Sequence, residues 1–322
     1  MQIFDTLLWP FRMLMSWILW AFHELFSFLG MDTNSGWTWT FSIVAVVAVI
    51  RAALIPVFVK QIKAQRAMQA LQPELRKLQA KYKGKKDQLS QQAMIAEQRA
   101  LFKKHNTGMF SSCMPLLFQM PFFFALFTVL NNTATAKAAG EGIGALSAAH
   151  VRSFDESSIF GARLSDTFLN TLNSGNINIS VIIVAVVLIV AMSALQFITQ
   201  RQIMSKNMTK EALEGPFMQQ QKMMLYILPL VFGIGGINFP IGLLLYWTAT
   251  NVWTLCQQFW VIRNNPTPGS EAERELNARR AAKGLPPIGQ KKAEEAAAAA
   301  AAVEEAKKTQ RAQPKRQPKR KR

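Results

Sequence analysis

The chain has 322 residues, half of them hydrophobic, and a formal net charge of +18 with a pI near 10.2. A soluble domain rarely combines the two; here apolar runs long enough to cross a bilayer, about 20 residues each, alternate with basic segments. Only Cys113 and Cys256, both in apolar runs, and the scattered His23, His105 and His150 offer soft ligands, so neither a disulfide framework nor a metal or cofactor site is expected.

Residues 1–36 are rich in Trp, Phe, Leu and Met but interrupted by Asp5, Pro10, Arg12, His23 and Glu24. They show no basic n-region and no small-residue cleavage site, so a secretory signal is not expected. An interfacial amphipathic helix fits them better than a sixth span. The first span is Trp37–Val59, centred on the apolar run Ile43–Ile50. Segment 60–108 then carries twelve Lys and Arg against three acids. Met68, Leu71, Leu75, Leu78 and Tyr82 repeat at spacings of three and four, the seam of an amphipathic helix. Lys83-Gly84-Lys85-Lys86-Asp87 supplies a turn, and a second helix from Leu89 to Lys104 completes a hairpin. Pro73 is a candidate kink in the first arm.

Span two is Met109–Leu130, with Pro115 and Pro121 inside it. The 131–178 loop holds three basic residues against four acids. Span three is Ile179–Ile198. The apolar stretch 223–262 is too long for one crossing, and Gly233, Gly235, Gly236, Asn238 and Pro240 divide it into Met223–Ile237 and Ile241–Ile262. Residues 263–322 are of low complexity, begin with Pro266 and Pro268, and end in a Pro-Lys-Arg arm. This tail is expected to be disordered. Its basic end either contacts polyanions, anionic lipid or ribosomal RNA, without sequence specificity, or serves topology and solubility alone. The positive-inside rule places 60–108, 201–222 and the tail in the cytoplasm, with the N-terminus and 131–178 outside. Five spans satisfy every segment at once.

Arg51 lies inside the first span. A guanidinium at membrane depth costs at least about 2.5–3.5 kcal/mol, and it cannot shed its proton. None of the five spans contains an acid, so the charge has to meet water or a ligand. Lys60 marks the cytoplasmic boundary about 13 Å further along a helix, more than snorkelling covers. Gln119, Gln196, Thr248, Thr250, Asn251, Gln257 and Gln258 add polar groups in spans two, three and five. The expected fold is an all-α polytopic membrane protein: five transmembrane helices around a hydrophilic groove, a cytoplasmic helical hairpin and an N-terminal interfacial helix.

Four stretches resemble one family. Ser112–Phe127, with Pro115, Gln119 and Pro121, is similar to the second core span of the YidC/Oxa/Alb insertases. Pro240–Asn251, with Tyr246 and Trp247, resembles their last span. Val49–Pro56 resembles their first, with Arg51 in the arginine position, and Met68–Leu75 with Lys81-Tyr82-Lys83 resembles the start of their hairpin. Thr250 departs from the Ser often found there, and the N-terminus lacks the lipoprotein-type signal of some five-span members. The resemblance implies a non-enzymatic insertase of the bacterial plasma membrane, without cofactor, that passes nascent hydrophobic segments from cytoplasm to lipid, alone or with the Sec translocon. It implies a substrate groove around Arg51, with Met120, Phe123 and Trp247 at substrate-contacting positions; Gln119, Gln196 and Asn251, read from the residues, are placed to line the same groove. Lys81, Lys83, Lys85 and Lys86 in the hairpin are candidates for recruiting the ribosome or anionic lipid. From the residues alone, a small-anion transporter or channel and a ribosome-tethering assembly factor stay open. An enzyme would need an acid–base pair, nucleophile motif or phosphate loop, and none is present in the spans.

Overall fold

The computed structural model describes residues 2–85, 87–105, 108, 114–175, 177–209, 213 and 216–288. Among them the chain is helical almost throughout. Helix α1 (Gln2–Phe28) is followed by α2 (Gly36–Ala53), α3 (Ile55–Lys81), α4 (Gln88–Lys104) and α5 (Met114–Asn131). Then come α6 (Thr133–Ala139), α7 (Ala148–Glu156), the antiparallel pair β1 (Ser158–Ile159) and β2 (Ala162–Arg163), and α8 (Phe168–Asn173). Helices α9 (Ile179–Asn207), α10 (Pro216–Gly236), α11 (Ile241–Asn264) and α12 (Glu271–Ala281) complete the described chain.

The bundle centres on α11, which packs along α9 and also touches α2 and α5, while α10 packs on α9. Trp39, Ile43, Val46 and Val47 of α2, Leu126 and Leu130 of α5, Met192 of α9 and Ile241, Leu243 and Leu244 of α11 are buried in one continuous core. By length and composition α2 and α9 can each cross a bilayer, and Phe118–Asn131 and Lys222–Gly236 are shorter apolar helices. The outer faces are apolar as well. Ile183, Val187 and Val190 on α9 and Ile227, Leu230 and Ile234 on α10 are exposed at spacings of three and four. So much contiguous apolar surface suits hydrocarbon, not water.

Several boundaries differ from those expected. The first span does not run to Val59. Pro56 has no N–H to donate back to the preceding turn and crowds its carbonyl, so α2 ends at Ala53, Leu54 takes a non-helical conformation, and α3 restarts at Ile55. Helix α3 then runs through Pro73 without interruption to Lys81. Asp87 caps α4 by accepting from the Ser90 N–H at 2.9 Å. Met68, Leu71, Leu75 and Phe102 bury one another between the two arms of the hairpin. The start of the second span, 109–113, lies outside the described residues. Helix α9 extends nine residues past Ile198, to Asn207.

The tail also differs from expectation. Ser270 accepts from the Glu273 N–H and starts α12. Lys206 at the end of α9 lies 2.5 Å from Glu271 and 2.7 Å from Glu275. Hydrogen bonds to these two carboxylates hold the Lys206 pKa above its usual value. The basic arm expected at the end of the chain lies outside the described residues.

Segment 131–178 is a structured cap rather than a simple loop. Phe154, Val151, Ile159 and Leu164 join the main core. The Trp39 indole N–H donates to the Ser153 hydroxyl at 3.1 Å. The first N–H groups of α11, unpaired within their own helix, are taken by this cap: Ile241 donates to the Asp166 carbonyl at 3.0 Å and Gly242 to the Leu164 carbonyl at 2.8 Å. Helix α1 lies against α2 and α5, burying Leu8, Met15, Leu19 and His23 along one face and exposing Leu7, Trp9, Leu14 and Trp17 on the other.

Candidate functional site

Arg51 sits in the last turn of α2, where the helix is about to break, and is only 8% exposed. Its guanidinium donates from Nη2 to the Thr254 hydroxyl of α11 at 3.0 Å. The same hydroxyl donates onward to the Thr250 carbonyl at 2.8 Å. The guanidinium carbon stands 5.1 Å from the centre of the Phe58 ring of α3, within cation–π range. Among the described residues no carboxylate faces it. One hydroxyl and one ring leave most of the five donors of the guanidinium for other partners.

Tyr246, Thr250 and Thr254 recur every four residues, which places them on one stripe of α11. At the level of Tyr246 the Gln119 amide donates to the Tyr246 hydroxyl at 3.3 Å. Gln119 and Arg51 thus meet the same stripe of α11 from α5 and α2. Trp247 and Asn251 lie on the adjacent stripe. Asn251 donates to the Met192 carbonyl of α9 at 3.5 Å, a long bond that ties two helices. Trp247 stands in an aromatic cluster, with ring centres 4.9 Å from Phe123, 4.6 Å from Phe232 and 5.7 Å from Phe239. Gln196 is half-buried on α9, while Met120 is exposed on α5.

The expected groove residues therefore separate into layers. Phe123 and Trp247 pack with other aromatic rings, and Arg51 pairs with Thr254 about 10 Å further along α11 at 1.5 Å per residue. The Gln119–Tyr246 bond lies at the level of Trp247, one residue before it on α11. Gln196 and Met120 are not brought into contact with Arg51.

Beyond Arg51 the helix break opens a cleft of about 510 Å³ between α3 and α11. Its walls are apolar: Ile55, Phe58 and Ile62 on one side, Trp253, Cys256 and Trp260 on the other. Lys63 and Arg66 line it as well, and the Arg66 guanidinium bonds the Asn265 carbonyl. Phe58 thus touches both Arg51 and the cleft. Reading Ile55–Val59 as the end of a span concealed this feature. The signal that could have revealed it was Pro56.

In the hairpin, Lys81 lies 2.5 Å from Glu97, and the Tyr82 hydroxyl donates to the same carboxylate at 2.8 Å. Those two hydrogen bonds, Lys81 first, hold the Glu97 carboxyl below its usual pKa. Lys83 and Lys85 are exposed, Lys85 with its ammonium 5.4 Å from the Tyr82 ring centre. Lys86 lies outside the described residues. Of the four lysines expected to recruit a partner, Lys81 is thus engaged within the hairpin.

A family model described as 60Kd inner membrane protein matches residues 30–268. A membrane protein insertase YidC of Streptomyces avermitilis is 48% identical over 263 residues, 80% of this chain and 59% of that protein. A protein of the same name from Tropheryma whipplei is 42% identical over 273 residues, 83% of this chain and 87% of its own. The membrane protein insertase MisCA of Bacillus subtilis is 29% identical over 256 residues, 78% of this chain and 82% of its own. The chain therefore spans about three fifths of the Streptomyces protein and most of the other two. The matched stretch contains Arg51, Gln119, Trp247 and the hairpin, and on that match this chain belongs to the 60Kd inner membrane protein family, the YidC/Oxa/Alb group that its motifs resemble.

Proposed function

We propose that the chain is a membrane protein insertase of the bacterial plasma membrane, and that Arg51 and the cleft beside it receive the client. Family membership supports the activity. The observation that carries the route is a buried arginine with one hydroxyl partner among the described residues, set where α2 breaks and an apolar cleft begins. A positive charge in a weakly screened recess attracts the polar or acidic flank of a nascent segment. The cleft between α3 and α11 offers the adjoining apolar residues a surface before they reach lipid. Burial of about 20 apolar residues, at roughly 25 cal/mol per Å², drives the transfer, so no nucleotide is required.

In this reading α2, α5, α9, α10 and α11 are the five spans, with the N-terminus and 131–178 outside and the hairpin and tail in the cytoplasm. Lys83, Lys85, Lys86 and the basic tail then face the ribosome and anionic lipid, and insertion proceeds alone or with the Sec translocon. Purified protein in liposomes, offered a synthetic client with one apolar segment and a short acidic flank, tests the activity. The expected result is protease protection of the flank well above that in protein-free liposomes. Equal protection in the two would refute the assignment.

A further inference from the structure

Two histidines that lie 127 residues apart in sequence meet in the fold. His23 ends the buried face of α1, and His150 stands in the first turn of α7, their ring centres 5.7 Å apart. Glu24 lies between them, its carboxylate 2.7 Å from His150 Nε2 and 4.0 Å from His23 Nδ1. Scattered in sequence, the histidines give no expectation of a metal site, yet the fold brings these three side chains together. We propose that His23 Nδ1, Glu24 and His150 Nε2 form a binding site for one Zn2+ ion that clips α1 to the 131–178 cap.

The donor atoms already lie within 4.8 Å of one another. Bonds of about 2.0–2.2 Å in tetrahedral array put ligand atoms about 3.3 Å apart, so closing the site requires shifts on the order of an ångström. The Glu24 side chain is half exposed and free to make them. His23 is preset. Its Nε2–H donates to the Thr33 carbonyl at 3.0 Å, which leaves the lone pair on Nδ1, and the ring stacks on Trp39 with centres 3.8 Å apart. The same Thr33 carbonyl accepts from Ser153 at 2.9 Å, and Ser153 accepts from Trp39. A carbonyl that orients a ligating imidazole is the usual outer support of a metal site. His23 Nδ1 is buried and, among the described residues, has no hydrogen-bond partner, an arrangement that calls for a ligand.

His150 can adapt. Its Nδ1 accepts from the Ser147 N–H at 3.3 Å and lies 2.6 Å from the Ser147 hydroxyl; for Nε2 to ligate, the ring proton moves to Nδ1, where the hydroxyl accepts it and the long bond from the Ser147 N–H is given up, and the Nε2 lone pair turns to the ion. No net proton is released by this tautomer change. Two imidazoles and one carboxylate suit zinc better than magnesium or calcium, which favour all-oxygen sites. The half-exposed Glu24 and partly exposed His150 leave an entry route and a fourth position for water.

The test uses full-length protein in detergent, tag-free, with Cys113 and Cys256 replaced by serine to remove thiol binding. Zn2+ titration against a chromogenic chelator should give one ion per chain, with no effect of millimolar Mg2+. Glu24→Gln and His150→Gln, which keep hydrogen bonding but lose a ligand, should each weaken binding at least tenfold. Zn2+ should raise the Tm of the parent and not of either variant. No saturable binding, or affinity unchanged in both variants, would overturn the proposal.

Discussion

Single residues fix the two ends of this bundle. At one end α2 begins at Gly36, with Ser35 accepting from the Trp37 N–H. A Cβ on Gly36 would overlap the Ser158 carbonyl, and one on Gly242 would stand 2.8 Å from the Phe154 ring. The cap lies so close to both helix starts that Gly36 leaves no room for a side chain and Gly242 only what a shift of the Phe154 ring would open. Gly36→Ala should therefore cost about 1–3 kcal/mol, read as a lower Tm in detergent; an unchanged Tm would show that the cap has room to shift. At the other end, Arg51 was legible as a sequence anomaly because no acid shares its span. Its partner Thr254 was not, since any of several hydroxyls in α11 was equally placed until the pitch and rotation of the helix were known. The meeting of His23 with His150 was less legible still, because nothing local encodes a contact across 127 residues.

At the scale of elements, the hairpin was the most legible part. Its seam of Met68, Leu71 and Leu75 is a period-3.6 pattern, and the second arm was expected to start within one residue of its observed Gln88. The hairpin has its own small core, separate from that of the bundle. Leu71→Ala, at a fully buried position, should cost about 2–5 kcal/mol of local stability. Hydrogen exchange should then speed up in α4 and the outer half of α3 while α2 and α11 keep their protection. Loss of protection throughout would mean that hairpin and bundle unfold as one unit. The short elements were harder to read. Helix α12 carried its signature, Ser270 followed three residues later by Glu273, but the flanking prolines and low-complexity tail outweighed it. The cap's helices are six to nine residues long, too short for a periodic pattern to stand out from a polar loop.

For the whole molecule, the apolar outer faces of α9 and α10 suit a bilayer, and the charge asymmetry between 60–108 and 131–178 predicts one orientation across it. Single cysteines placed at Ser90 and at Ser158, in a background without Cys113 and Cys256, should be labelled only from the cytoplasm and only from outside, respectively. A cap labelled from the cytoplasm would invert the topology. The central claim is that Arg51 acts by charge on the client. It is tested most directly by inserting paired clients, identical but for an acidic or a neutral flank, into proteoliposomes holding equal amounts of folded parent, Arg51→Lys or Arg51→Ala. Lys keeps the charge without the guanidinium fork, so Arg51→Lys should retain most of the activity. Arg51→Ala should lower insertion of the acidic-flank client about tenfold, equivalent to about 1.4 kcal/mol, and spare the neutral one. Equal insertion of the acidic-flank client by parent and Arg51→Ala would contradict the account.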